Sequence, residues 1–134
     1  MLKILIFLTL ACSAGATAQT ATSLSPAQAR ELARVKAAAD TLSAPYALKL
    51  AATVKRIYAN MLSPREDQRL RRTLAAQLHQ YTAKLLDIRG QYYRDALKVL
   101  TPDQLRTVRK EFERPDTADD LGKVIDKIFK INGS

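Results

Sequence analysis

The sequence predicts an all-α protein, an elongated helical hairpin built around one long helix. Three observations carry that reading. Apolar residues recur at steps of three and four along most of the chain, the period of a helix with one buried stripe. Three segments share one helix-start chemistry: Ser25-Pro26-Ala27-Gln28, Ser63-Pro64-Arg65-Glu66 and Thr101-Pro102-Asp103-Gln104. Composition agrees, because 134 residues with only four Gly and 6% aromatics do not suit a small barrel or sandwich, whereas 47% apolar residues suffice for a packed core.

The first residues read as a leader and not as part of the fold. Met1-Leu2-Lys3 is a cationic start, Ile4 to Ala11 is apolar, and Ala16-Thr17-Ala18 offers small residues at the positions a signal peptidase reads. Cleavage before Gln19 is expected, leaving residues 19–134 as one all-helical domain of 116 residues. The apolar run falls short of the roughly 20 residues of a spanning helix, so no transmembrane span is expected. Cys12 follows the apolar stretch as in a lipoprotein signal, but the aliphatic residue wanted three positions upstream is missing. A lipid anchor there is the alternative to a soluble periplasmic protein. Without Cys12 the exported chain holds no cysteine and is indifferent to an oxidising compartment.

Each helix start places a hydroxyl at the N-cap, Pro at the first helical position and Gln or Glu three residues after the cap. That is a capping box, with Pro where its missing N–H is not needed. Leu24, Leu62 and Leu100 precede the three caps, and Leu105 is placed to staple Leu100. The caps lie 38 residues apart, twice over, but little else keeps step, so a solenoid repeat is not indicated.

Five helices follow from these signals. The first is expected over Pro26–Leu42, with Leu32, Val35, Ala39 and Leu42 inward. Pro45 opens a second, carrying Tyr46, Leu50, Val54, Ile57 and Met61. The third, Pro64 to about Val99, carries the seam Leu70, Leu74, Leu78, Tyr81, Leu85, Ile88, Tyr92 and Ala96, with Gly90 permitting a bend or a close approach. A fourth, from Pro102 to about Glu113, buries Leu105, Val108 and Phe112. A fifth, at about 117–131, is capped by Thr117, turns Leu121, Val124, Ile125 and Ile128 inward and ends at Asn132-Gly133. A third helix of that length would run about 54 Å, beyond the size of a compact domain of this mass. It needs cover from the first two helices, from a second subunit, or from both.

Little of this chain suits catalysis. His79 is the one imidazole and neighbours the apolar seam, with no thiol in the exported chain to pair with it. One His and one Cys exclude a zinc site built on those ligands. Asp119-Asp120 is explained by the dipole of the fifth helix, and no Gly-rich phosphate loop exists. No enzyme activity, cofactor or metal is expected.

Charge is the more informative property. The chain carries 22 basic and 13 acidic residues, a formal +9, and loses one positive charge with Lys3. Residues 19–62 hold six basic and two acidic side chains, residues 63–100 eight and four, and residues 101–134 seven and seven. The whole excess therefore lies on the first three helices. Arg65, Arg69 and Arg72 share one flank with Arg71 beside them, Arg30 and Arg34 recur likewise, and so do Lys49 and Arg56. Nucleic acid is the usual partner of such a surface, but an exported protein seldom meets it. Anionic membrane surface or acidic stretches of unfolded protein suit the compartment better.

Leu24-Ser25-Pro26-Ala27-Gln28 and Leu100-Thr101-Pro102-Asp103-Gln104 resemble the paired LTxxQ motifs of the Spy/CpxP family of periplasmic chaperones and stress modulators. The second matches in full and the first carries Ser for Thr. Tyr92-Tyr93-Arg94-Asp95-Ala96-Leu97-Lys98-Val99, with Phe112 downstream, resembles the end of that family's long helix. The resemblance covers Leu24 to Arg114. It implies a cradle-shaped antiparallel homodimer whose basic, partly apolar concave face holds unfolded or partly folded envelope proteins without ATP. It makes Leu24, Ser25, Pro26, Gln28, Leu100, Thr101, Pro102 and Gln104 structural motif positions. Lys55, Arg56, Arg65, Arg69 and Arg72 are the residues expected to face clients. Some relatives instead damp a sensor kinase by binding its periplasmic domain, which is the alternative function. Others bind metal, but the His and Met residues they use are missing here, with only His79 and Met61 left after the leader. The segment after the second motif has no evident place in the family plan.

Overall fold

The computed structural model describes residues 22–116 and 120–131. The described residues form four helices in the order α1 (Pro26–Leu62), α2 (Gln68–Val99), α3 (Pro102–Phe112) and α4 (Leu121–Phe129), and no strand. The all-α expectation holds. The leader residues 1–18, Cys12, the Thr117 cap and the Asn132-Gly133 stop lie outside the described residues.

The chain groups into two compact units. Among the described residues, one joins 22–30 with 99–116 and 120–131, and the other is Glu31–Lys98.

In Glu31–Lys98, α1 and α2 run antiparallel about the turn at 63–67. Leu32, Val35, Leu74 and Ala96 are buried, as their spacing predicts. The rest of the α2 seam, from Leu70 through Tyr92, is half-buried throughout. Two polar residues share this interior. Thr53 is 3% exposed and donates its hydroxyl to the Lys49 carbonyl one turn back, which removes most of the cost of burying it. Asn60 is 8% exposed and holds the turn.

Four expectations about this unit are corrected. Pro45 does not open a helix but lies inside α1. Ala44 before it has no side-chain oxygen to cap a new start. The Ser43 hydroxyl turns back to the carbonyls of Ala39 (2.7 Å) and Asp40 (3.2 Å), as a helix-interior serine does. The described residues accordingly hold two long helices, of 37 and 32 residues, and four helices in all where five were expected.

Ser63-Pro64 does not start α2 either. With α1 running to Leu62, a start at Pro64 would leave one residue to reverse the chain. Five residues make the turn instead, and Asp67 caps α2 by accepting from the N–H groups of Arg69 (2.9 Å) and Leu70 (3.0 Å). The Ser63 hydroxyl is committed to the carbonyls of Asn60 and Arg65.

Leu42 and Met61, expected inward, are 61% and 60% exposed, because Ser43 and Asn60 take the shielded positions beside them. Gly90 neither ends α2 nor makes room for a neighbour: a Cβ there would meet nothing closer than the Arg94 guanidinium at 3.5 Å.

In the other unit α3 packs on α4 around Leu100, Val108, Val124, Ile125 and Phe129, all buried. Asp120 caps α4 by accepting from Gly122 and Lys123, and Lys130 ends it in the left-handed region at φ 52°. Lys127 Nζ reaches Glu111 Oε1 at 2.6 Å and ties the two helices on the surface. Phe112, expected in this core, is 44% exposed, while Phe129 fills it.

Candidate functional site

Two sets of residues were singled out by the sequence, and the fold treats them differently. The motif residues come together inside the unit that holds α3 and α4. Both outer capping boxes form. The Ser25 hydroxyl accepts from Gln28 N (3.1 Å) and Gln28 Oε1 accepts from Ser25 N (3.0 Å). At the other motif Thr101 Oγ1 accepts from Gln104 N (3.3 Å) and Gln104 Oε1 from Thr101 N (2.8 Å). Pro26 and Pro102 open their helices, Leu100 is buried and Leu24 half-buried.

The two glutamines then join the boxes to each other, a feature the spacing alone does not reveal. Gln28 Nε2 donates to Gln104 Oε1 at 2.8 Å, and Gln104 Nε2 donates to Gln28 Oε1 at 3.2 Å. Gln28 Nε2 also donates to the Val99 carbonyl and Gln104 Nε2 to that of Ser23. Each of those carbonyls lies two residues before the other motif's cap. Each amide thus fills two acceptor and two donor places, which lets Gln104 sit at 1% exposure without an unmade bond. The cluster is a clasp in which both glutamine amides are fully engaged.

The basic set lies at the turn end of the hairpin. Lys55 and Arg56 are on the last two turns of α1, Arg65 is in the turn, and Arg69 and Arg72 begin α2; all five are exposed. None of the five forms an ion pair among the described residues. Their neighbours account for the nearby acids: Glu66 approaches Arg71 at 3.8 Å, and the Asp67 carboxylate is used as the α2 cap.

Apolar side chains stand exposed in the same region, with Tyr58 at 59%, Met61 at 60% and Leu62 at 86%. Farther along the hairpin Leu48 and Leu86 are also exposed. Between them Lys49 Nζ lies 5.5 Å from the Tyr46 ring and 5.9 Å from that of Tyr81, and Lys84 Nζ lies 6.0 Å from Tyr46. Two ammonium groups over aromatic faces add cation–π character to the basic surface.

Sequence reasoning missed Asn60. Its Nδ2 donates to the Asp67 carbonyl and its Oδ1 accepts from Asp67 N, both at 3.0 Å, which fixes the turn that presents the arginines. An Asn a few residues before Ser-Pro was the available signal, since such residues bond backbone in turns.

Elsewhere on the surface carboxylates are held below their ordinary range by hydrogen-bond donors. Glu31 is lowered chiefly by Arg34, Asp95 by the Gln91 amide and then Lys98, and Glu111 by Lys127. Among the described residues no three His, Cys, Asp or Glu side chains come together as metal ligands, and no helix is long and apolar enough to cross a membrane.

Compared with models of protein families, with curated proteins and with solved structures, the chain matches none.

Proposed function

We propose that this protein is an ATP-independent chaperone of the cell envelope, a non-enzymatic member of the LTxxQ group. On this reading it is exported to the periplasm and holds unfolded or partly folded proteins on the basic, partly apolar surface of its hairpin. The observation that carries the proposal is the turn end of α1 and α2. Five exposed cations without ion pairs among the described residues stand beside exposed Tyr58, Met61 and Leu62.

Such a surface captures acidic or negatively patched chains quickly and in a salt-sensitive way. Its scattered apolar side chains add weak adhesion without a shaped pocket, so no particular sequence is demanded. The Ser25 and Thr101 boxes, joined through Gln28 and Gln104, support the family reading because they give the paired motifs one shared structural purpose. Association as an antiparallel homodimer belongs to the same proposal and is read by sedimentation equilibrium.

The test is light scattering from an acidic protein made to aggregate in the absence of nucleotide. A molar excess of the chaperone is expected to suppress the signal. A variant with Lys55→Gln, Arg56→Gln, Arg65→Gln, Arg69→Gln and Arg72→Gln should lose most of that effect while keeping its helical circular dichroism. Undiminished suppression by the variant would remove the basic set from the account. Stoichiometric binding to one sensor kinase domain, without suppression, would replace the chaperone reading by the signalling one.

A further inference from the structure

We propose that the turn end of the hairpin docks on the surface of an anionic lipid bilayer. This goes beyond the chaperone reading and does not depend on it. The inference starts from Leu62, which is 86% exposed at the last position of α1. Tyr58 lies three residues before Met61 and four before Leu62, so it neighbours both on the final helical turns, and all three are well exposed.

This is not a frayed helix end. Asn60 bonds the Asp67 backbone in both directions, the Ser63 hydroxyl closes on two carbonyls, and Asp67 caps the next helix. The fold therefore displays a large apolar side chain on an ordered turn and covers it with nothing from the hairpin.

Charge decides what covers it. Residues 55–72 contain Lys55, Arg56, Arg65, Arg69, Arg71 and Arg72 against Glu66 and Asp67 only. One acid is spent near Arg71 and the other on the α2 cap. A second copy of the same tip would bring like charges together. A peptide held tightly and by its sequence would need a groove, and the hollow lined by Ile57, Asn60, Met61, Glu66 and Arg71 has a volume of only about 210 Å³ and carries a carboxylate on its wall. A protruding Leu beside Met and Tyr, ringed by cations, matches a plane of anionic headgroups over hydrocarbon. The apolar side chains enter the acyl boundary, the Tyr ring lies at the interface, and the arginines meet the phosphates.

Co-sedimentation of the processed chain with phosphatidylglycerol–phosphatidylcholine vesicles tests this, with pure phosphatidylcholine vesicles alongside. Binding is expected on the anionic vesicles alone and should weaken as salt rises. Leu62→Asp should weaken it about tenfold. The triple change Arg65→Gln, Arg69→Gln, Arg72→Gln should weaken it by more than about tenfold.

Absence of binding to anionic vesicles, or equal binding by wild type and Leu62→Asp, overturns the proposal. So does a Leu62→Asp protein that loses aggregation suppression while its vesicle binding is unchanged, which would give the tip to clients alone. Suppression retained by a wild type that ignores vesicles overturns the docking inference and leaves the chaperone reading standing.

Discussion

Gln104 shows how one side chain fixes a motif. Its amide is 1% exposed and makes bonds to Thr101 N, to the Ser23 carbonyl and, in both directions, to Gln28. Gln104→Leu keeps the volume but strands those four partners and opens a helix cap. We expect a loss of about 3 kcal/mol, read from urea unfolding. Gln28→Leu should cost less, about 1–2 kcal/mol, because Gln28 is only half-buried and its freed partners can reach water. The double variant should fall short of the sum, since each single change already breaks the shared bonds. The motif residues were legible because Ser/Thr-Pro-x-Gln is local chemistry, complete within four residues. Their meeting was not, because the two glutamines are separated by 76 positions and no local pattern states which capping boxes will face each other.

At the level of elements, α1 carries a correctable defect. Pro45 removes one backbone hydrogen bond from the helix interior, and Ala44 supplies no cap that would turn the interruption into a new start. Pro45→Ala is expected to raise stability by about 1–3 kcal/mol, the range left after the looser unfolded chain is counted. Gly90→Ala should add about 1 kcal/mol, because its Cβ meets only the mobile end of Arg94 at ordinary contact distance. Both are read as upward shifts in denaturation midpoint. A fall for Gly90→Ala would mean that the glycine serves a close approach after all.

The stripe of α2 was legible from spacing alone, since all eight seam residues are at least half-buried. That of α1 was only partly so. Its inward positions at Thr53 and Asn60 are polar, and an apolar count passes over side chains whose hydrogen bonds are satisfied locally. The start of α2 was misread because Ser63 and Asp67 are both competent caps. The choice between them rests on how many residues are needed to reverse the chain.

For the molecule as a whole, pH and salt act on different parts. Glu31, Asp95, Glu111 and Asp116 all titrate below their ordinary values. Each therefore contributes stability that is complete above the ordinary 4.5 of Glu or 3.8 of Asp. That contribution is lost as pH falls through the lowered value. These groups lie at the surface, so the effect is small and gradual, with a thermal midpoint that declines only as the solution becomes more acid than those values. Binding rests on other groups, the Lys and Arg side chains proposed to capture clients by long-range attraction. What ionic strength changes is their reach, which shortens as the Debye length falls from about 10 Å at 0.1 M salt to about 3 Å at 1 M.

The measurement that bears most directly on the chaperone proposal is aggregation suppression followed across a salt titration. An acidic client is made to aggregate, nucleotide is absent, and the protein is present in molar excess. The account predicts strong suppression at low salt that fades steadily as salt rises, with the five-residue Gln variant weak throughout. Suppression that is absent at low salt, or that is equally strong at every salt concentration, would contradict it.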